Sequence, residues 1–129
     1  MNITVIGLGK IGLPLAVYFS QRNNVIGLDN NKDVVEWINN GQEPFPGEKN
    51  LKKNLKEVVA SEKFSATLDV SKAIKSADVI LICVPLIIDN HNEPDFLNID
   101  SVVTDIGKHI VSSTLIIFCL LYTSDAADE

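Results

Sequence analysis

Apolar residues fall into two patterns along this chain. Short, mostly apolar runs occupy residues 3–6, 25–28, 79–84 and 114–118, and Phe64-Ser65-Ala66-Thr67 adds a short candidate strand. Between them, apolar positions recur every three or four residues. The first pattern predicts strands and the second helices. The six apolar residues 79–84 do not alternate, which predicts a strand covered on both faces, as in the middle of a parallel sheet. Ile11, Leu15, Tyr18 and Phe19 predict the apolar face of a first helix. Residues 32–40 predict a second, with Val34, Val35 and Ile38 apolar, Trp37 packed beside them and Gly41 as C-cap. Leu51, Leu55, Val58 and Val59 predict a third. Residues 70–76 read as a short helix or turn. Asn98 is read as the N-cap of a helix carrying Ile99, Val102, Val103, Ile106 and Ile110. Pro44, Pro46 and Gly47 make 42–48 a rigid loop. Residues 86–97 read as polar and turn-rich around Asp89, Asn90 and Asn92.

Strands and helices therefore alternate from end to end. The expected fold is α/β, a Rossmann-type doubly wound parallel sheet of strand order 3-2-1-4-5, incomplete at its C-terminal edge. A ligand crevice is expected where the order reverses, at the carboxyl ends of the first and fourth strands.

The stretch from Asn2 to Asp29 sharpens this. Glycines at Gly7, Gly9 and Gly12 follow the first strand, a helix follows them, and a second strand ends in Asp29. Strand, Gly-x-Gly-x-x-Gly, helix, strand and acid form the dinucleotide-binding fingerprint. Gly7 permits the tight turn, Gly9 admits a pyrophosphate to the backbone, and Gly12 lets helix and strand pack closely. The helix N-terminus offers free N–H groups and a positive dipole end to the phosphates. Asp29 can accept from the adenosine ribose hydroxyls, and its charge repels a 2′-phosphate, which favours NAD over NADP. Pro14 sits in the first helical turn, where its missing N–H breaks no bond. The expected cofactor-binding residues are Gly7, Leu8, Gly9, Lys10, Ile11, Gly12, Asp29, Asn30, Lys32, Val84, Pro85 and Leu86.

Composition narrows the partners. At 129 residues the length suits one domain, and the net charge of −6 argues against nucleic acid. The lysines at 49, 52, 53 and 56 are flanked by acids and read as a solvated helix face. Two cysteines give neither a disulfide framework nor metal-ligand spacing. No signal peptide and no apolar run of membrane-spanning length is visible, so a cytoplasmic setting is expected, with no membrane partner.

The chain from Met1 to Phe118 resembles the amino-terminal NAD-binding domain of the UDP-glucose/GDP-mannose dehydrogenase family. The residues that carry the resemblance are IGLGKIGLPLA at 6–16, GLDNN at 27–31, Asn40-Gly41 before Pro44, ADVILICVP at 77–85, and Asp89 with Glu93-Pro94-Asp95. The Val-Pro-Leu and Glu-Pro-Asp-Phe forms are similar to bacterial UDP-N-acetyl-hexosamine or UDP-hexose dehydrogenases of surface-polysaccharide synthesis. The resemblance implies oxidation of the C6 alcohol of a nucleotide sugar to a carboxylate with two NAD, through a cysteine thiohemiacetal and thioester. It also implies that the catalytic groups, the UDP-sugar site and a homodimer interface belong to regions beyond this chain. No catalytic residue and no metal ligand is therefore assigned here, and the chain is expected to hold NAD without turnover. Lys32 takes the place of a basic residue that many members carry near Val34. Leu86 and Ile87 stand where many carry Thr-Pro, and Lys10 where Tyr is frequent.

Other chemistry-bearing residues read as structural. Cys83 lies in an apolar strand with nothing to activate a thiolate. His91 reads as solvated in a loop, and His109 as a cation near a helix end. Asp78 and Asp95 read as caps or turn residues, and Glu48 as a residue that could face substrate in a complete enzyme. Residues 119–129 break the pattern and resemble the translation of a sequencing adapter, so the domain is drawn at 1–118 and 119–129 read as a non-native or disordered tail. Two other readings share the glycine loop. An NAD-sensing regulatory domain would lack the Val-Pro turn and the Glu-Pro-Asp loop. A 3-hydroxyacid or ketopantoate dehydrogenase often carries an arginine after the second strand, and none follows Asp29.

Overall fold

The computed structural model describes residues 1–45, 50–83, 86–88, 94–95, 97–110, 113–119 and 122–123. Its elements run β1 (Asn2–Ile6), α1 (Gly12–Ser20), β2 (Asn24–Leu28), α2 (Lys32–Asn39), α3 (Leu51–Ala60), β3 (Phe64–Thr67), α4 (Val70–Lys75) and β4 (Val79–Ile82). They continue β5 (Leu86–Ile88), β6 (Pro94–Asp95), α5 (Leu97–His109), β7 (Leu115–Phe118) and β8 (Tyr122–Thr123). Five strands pair in parallel in the order β3-β2-β1-β4-β7. Since β7 is the fifth strand of this sheet, the order is the expected 3-2-1-4-5.

Alternation along β1 divides the core. Ile3 and Val5 point to one face, where Leu13, Val17, Ile38, Leu55 and Phe64 pack from α1, α2, α3 and β3. Ile6 points to the other, with Ala73, Ile74, Ile80 and Ile106 from α4, β4 and α5. Thr4 is polar but fully buried, and its hydroxyl donates to the Ala73 carbonyl of α4. This bond satisfies a group that would otherwise cost free energy inside the core.

Three local expectations need correction. The buried face of α1 is Gly12, Leu13, Ala16, Val17 and Ser20; of the expected residues Leu15 and Phe19 pack against the core from its margin, whereas Ile11 and Tyr18 do not. Ile11 is 44% exposed and Tyr18 67%. Small residues at Gly12, Ala16 and Ser20, spaced one turn apart, let the helix axis lie close to the strands. Periodicity of bulky residues alone misses these small positions and includes two exposed ones. Trp37 is 45% exposed instead of packed. Asn98 lies inside α5, which already begins at Leu97, so it is not the N-cap.

Residues 86–97, read as loop, contain β5 and β6. These form a small second sheet of order β6-β5-β8, with β5–β6 antiparallel and β5–β8 parallel. Within the stretch read as a tail, Cys119 packs against the α1-side core, and Tyr122–Thr123 is β8, paired with Leu86 and Ile87. Pro46, Gly47, Glu48, Lys49, Val84, Pro85, Asp89 and His91 lie outside the described residues.

Candidate dinucleotide site

The site forms where β1 and β2 end side by side. At Gly7 the backbone leaves β1 with φ +92°, a conformation that costs a side-chain-bearing residue far more than glycine. The Gly7 N–H donates to the Leu28 carbonyl of β2 at 2.9 Å, which still follows the sheet. The next N–H, of Leu8, donates instead to Oδ2 of Asp29, also at 2.9 Å. The other Asp29 oxygen accepts from the Asn31 N–H at 2.9 Å. Asn31 in turn caps α2, its Oδ1 accepting from the Asp33 and Val34 N–H groups. A continuous hydrogen-bonded path thus runs from the glycine loop through the acid to the start of α2. The Leu8 side chain anchors the loop from below. It is buried, and a Cβ placed on Gly27 would lie 2.7 Å from one of its methyl carbons.

The two remaining glycines of the loop differ in their surroundings. A Cβ on Gly12 would lie 1.7 Å from the Gly7 carbonyl oxygen and 3.3 Å from the Cys83 Cβ. This is the close helix–strand approach that only glycine allows. A Cβ on Gly9 would meet nothing within 4 Å. The space over Gly9 is open, and its N–H, with those of Lys10, Ile11 and Gly12, finds no acceptor among the described residues. No side chain caps α1, and no acid lies in its first turn. Unpaired N–H groups at a helix start, over a backbone free of side chains, suit an anion such as a diphosphate.

Beside this loop lies a cleft of about 310 Å³. Ile6, Gly7, Leu28, Asp29 and Asn30 line it from the sheet. Leu68 closes it from the β3–α4 connection, Val70 from the start of α4, and Ser101, Val102 and Asp105 from α5. The last five escaped the sequence reading. They come from segments far apart in the chain, and nothing but the tertiary fold brings them to the strand ends. Among the expected cofactor residues, Gly7, Asp29 and Asn30 line this cleft. Leu8 and Gly12 are buried, while Gly9, Lys10 and Ile11 are exposed on the loop. Lys32 is exposed at the start of α2, with its Nζ 4.0 Å from Glu36. Val84 and Pro85 lie outside the described residues, and Leu86 belongs to β5.

Cys83 is unsuited to nucleophilic work. Burial, and after it the neighbouring Cys119 sulfur, push its thiol up to about 12 from 9.0. It stays protonated at neutral pH. Asp78 is a tie within the fold, its Oδ2 accepting from the Asn2 N–H at 2.9 Å. Among the described residues no group of three or more His, Cys, Asp or Glu could hold a metal ion, and no helix is long and apolar enough to cross a membrane.

A parallel sheet of this order, with an open glycine loop joined to an acid on the next strand, defines a dinucleotide-binding domain of Rossmann type. Residues 1–119 match the profile of the UDP-glucose/GDP-mannose dehydrogenase family, NAD binding domain, and the chain belongs to that family. It is 36% identical over 120 residues to Protein CapL of Staphylococcus aureus, covering 91% of this chain and 26% of that protein. To UDP-N-acetyl-D-mannosamine dehydrogenase of Escherichia coli K12 it is 34% identical over 117 residues, covering 90% of this chain and 27% of the other. Among solved structures, UDP-D-ManNAc dehydrogenase from Pyrococcus horikoshii superposes with a TM-score of 0.88 at 28% identity, over 99% of this chain and 30% of that one. The chain spans about a quarter of the length of the curated relatives it matches.

Proposed function

We propose that this chain is the part of a cytoplasmic nucleotide-sugar 6-dehydrogenase that holds NAD. The residues assigned to the cofactor are the loop from Gly7 to Gly12, with Asp29, Asn30 and Lys32 and the turn at Val84, Pro85 and Leu86. The observation that carries this reading is the Leu8 N–H···Asp29 hydrogen bond. It fixes a carboxylate beside a loop whose N–H groups from Gly9 to Gly12 find no acceptor among the described residues, so a diphosphate on the loop would have its adjoining ribose at Asp29. Asp29 has spent one lone pair on each of two backbone N–H groups. A carboxylate offers about four acceptor sites, so two remain for ribose hydroxyls. The negative charge there excludes a 2′-phosphate.

NAD, when bound, supplies the hydride acceptor. The residues here bind and orient it. The substrate is a UDP-hexose or UDP-N-acetyl-hexosamine oxidised at C6, in surface-polysaccharide synthesis, and the relatives' names support that class. Cys83 is protonated and buried, and the described part of the chain offers no other thiol in an activating setting. The 129-residue chain therefore binds NAD without turning over substrate, and a homodimer belongs to the complete enzyme. Calorimetric titration tests the binding reading: NADH should bind the purified chain measurably better than NADPH, and equal affinities would overturn the role of Asp29. Incubation with NAD and UDP-sugars tests the second part, since any NADH formed by the chain alone contradicts it.

A further inference from the structure

The cleft beside the glycine loop is lined by polar residues from two parts of the chain and by apolar residues. Asp29 and Asn30 are the polar residues next to the loop. Ile6, Leu28, Leu68, Val70 and Val102 form the walls. Ser101 and Asp105 stand on α5, four residues apart, and therefore on one face of that helix. Asp105 is half-buried there, yet it makes no hydrogen bond and no ion pair with any described residue. Lys108 and His109 follow it on the same helix, but neither comes within ion-pair distance of it. Asp105 therefore keeps its acceptor sites free for a donor that enters the cleft.

A flat heteroaromatic ring between the apolar walls, attached to a ribose at Asp29, would bring its far edge to Ser101 and Asp105. Adenine carries an amino group on that edge, flanked by ring nitrogens that accept. Asp105 can only accept and Ser101 can donate. The pair therefore complements an amino group beside a ring nitrogen. Hypoxanthine carries a carbonyl oxygen in place of the amine and an N–H in place of the adjoining ring acceptor, which reverses both positions of the pattern and sets its oxygen against the Asp105 carboxylate. We infer that Asp105, with Ser101, selects the adenine base of the dinucleotide by accepting a hydrogen bond from its exocyclic amine.

This inference rests on the NAD-binding reading above, and one titration series separates the two. NAD and nicotinamide hypoxanthine dinucleotide are titrated into the wild-type chain, D105N and D105A, each variant first checked for native circular dichroism and an unchanged melting profile. A hydrogen bond to a charged acceptor sets the expected size: the hypoxanthine analogue should bind the wild type about tenfold or more weakly than NAD. In D105N the amide can donate to the carbonyl, so the preference should shrink or reverse, and D105A should bind both alike. Equal wild-type affinities for the two dinucleotides, with NAD still bound, overturn the role of Asp105 alone, as does a D105N variant that keeps the full preference. Failure of NAD itself to bind the wild type overturns the binding reading and this inference with it. The wild-type comparison needs no variant to fold.

Discussion

Replacing Gly12 by alanine should force α1 away from β1, whereas replacing Gly9 should leave the fold untouched and weaken only cofactor binding. At Gly12 the added carbon would sit 1.7 Å from the Gly7 carbonyl oxygen, half the distance at which ordinary van der Waals contact begins. The obstacle is backbone, so no side chain can swing aside. The first turn of α1 must lift from β1, and Leu13, fully buried beneath it, must lift as well. Overpacking of this kind costs about 1–3 kcal/mol, and partial exposure of a leucine adds a similar amount. A loss of about 3 kcal/mol is a large share of the roughly 5–15 kcal/mol that holds a domain together. At Gly9 the same carbon meets nothing within 4 Å, and the backbone is not left-handed. G9A should change stability by no more than about 0.5 kcal/mol. It puts a methyl group where the diphosphate would lie, and losing one or two charge-assisted bonds, at about 1.5–3 kcal/mol each, weakens NAD at least tenfold. Urea denaturation followed by circular dichroism, together with calorimetric titration of NAD, measures both. A G12A midpoint equal to wild type would refute the packing argument. A G9A variant with full NAD affinity would refute the placement of the diphosphate.

Three further outcomes follow from particular contacts. Cys83 stays protonated in the folded chain up to about 12, whereas the unfolded thiol ionises near 9.0. Its contribution is therefore complete below 9 and is lost as pH rises from about 9 to about 12, so the urea midpoint should fall across that window and fall less in C83A. Asn39 donates to the Ala66 carbonyl at 2.9 Å and accepts from its N–H at 2.8 Å; N39A should lower stability by about 1–3 kcal/mol in the same urea assay, and an unchanged midpoint would mean water replaces both bonds. On β7, Leu115 is 57% and Ile117 40% exposed, so the chain should associate with rising concentration, and I117K should suppress this in sedimentation velocity, an outcome a monomeric wild type would contradict.

Much of this was readable before any coordinates. The central strands β1, β2 and β4 announce themselves as mostly apolar runs because the sheet is covered on both faces there, and the glycines announce the loop because Gly7 and Gly12 hold positions that a side chain would disrupt. The hidden parts share one cause, which is that they depend on distance in space. The buried face of α1 is set by small residues whose importance lies in how closely two axes approach. β5, β6 and β8 are two or three residues long and carry too little pattern to stand out from a loop. Leu68, Val70, Ser101 and Asp105 belong to segments some thirty residues apart, and no local period marks them as neighbours. Asp29 was legible as the acid that follows the second strand, but its bond to the Leu8 N–H was not, since a sequence shows an acid and not its partner.

That bond joins folding and recognition in one residue. The Asp29 carboxylate holds the glycine loop against β2 and at the same time continues through Asn31 into the cap of α2. Neutralising it would weaken two charge-assisted bonds within the protein before any cofactor is considered. A variant such as D29N would therefore confound lost recognition with a loosened loop if only NAD affinity were measured. The ratio of NADH to NADPH affinity is the cleaner quantity, because loosening the loop weakens both dinucleotides alike, whereas loss of the charge relieves only the one that carries a 2′-phosphate. The two glycine variants make the matching separation on the other side of the site, since Gly12 is bound to the packing of α1 and Gly9 faces only open space.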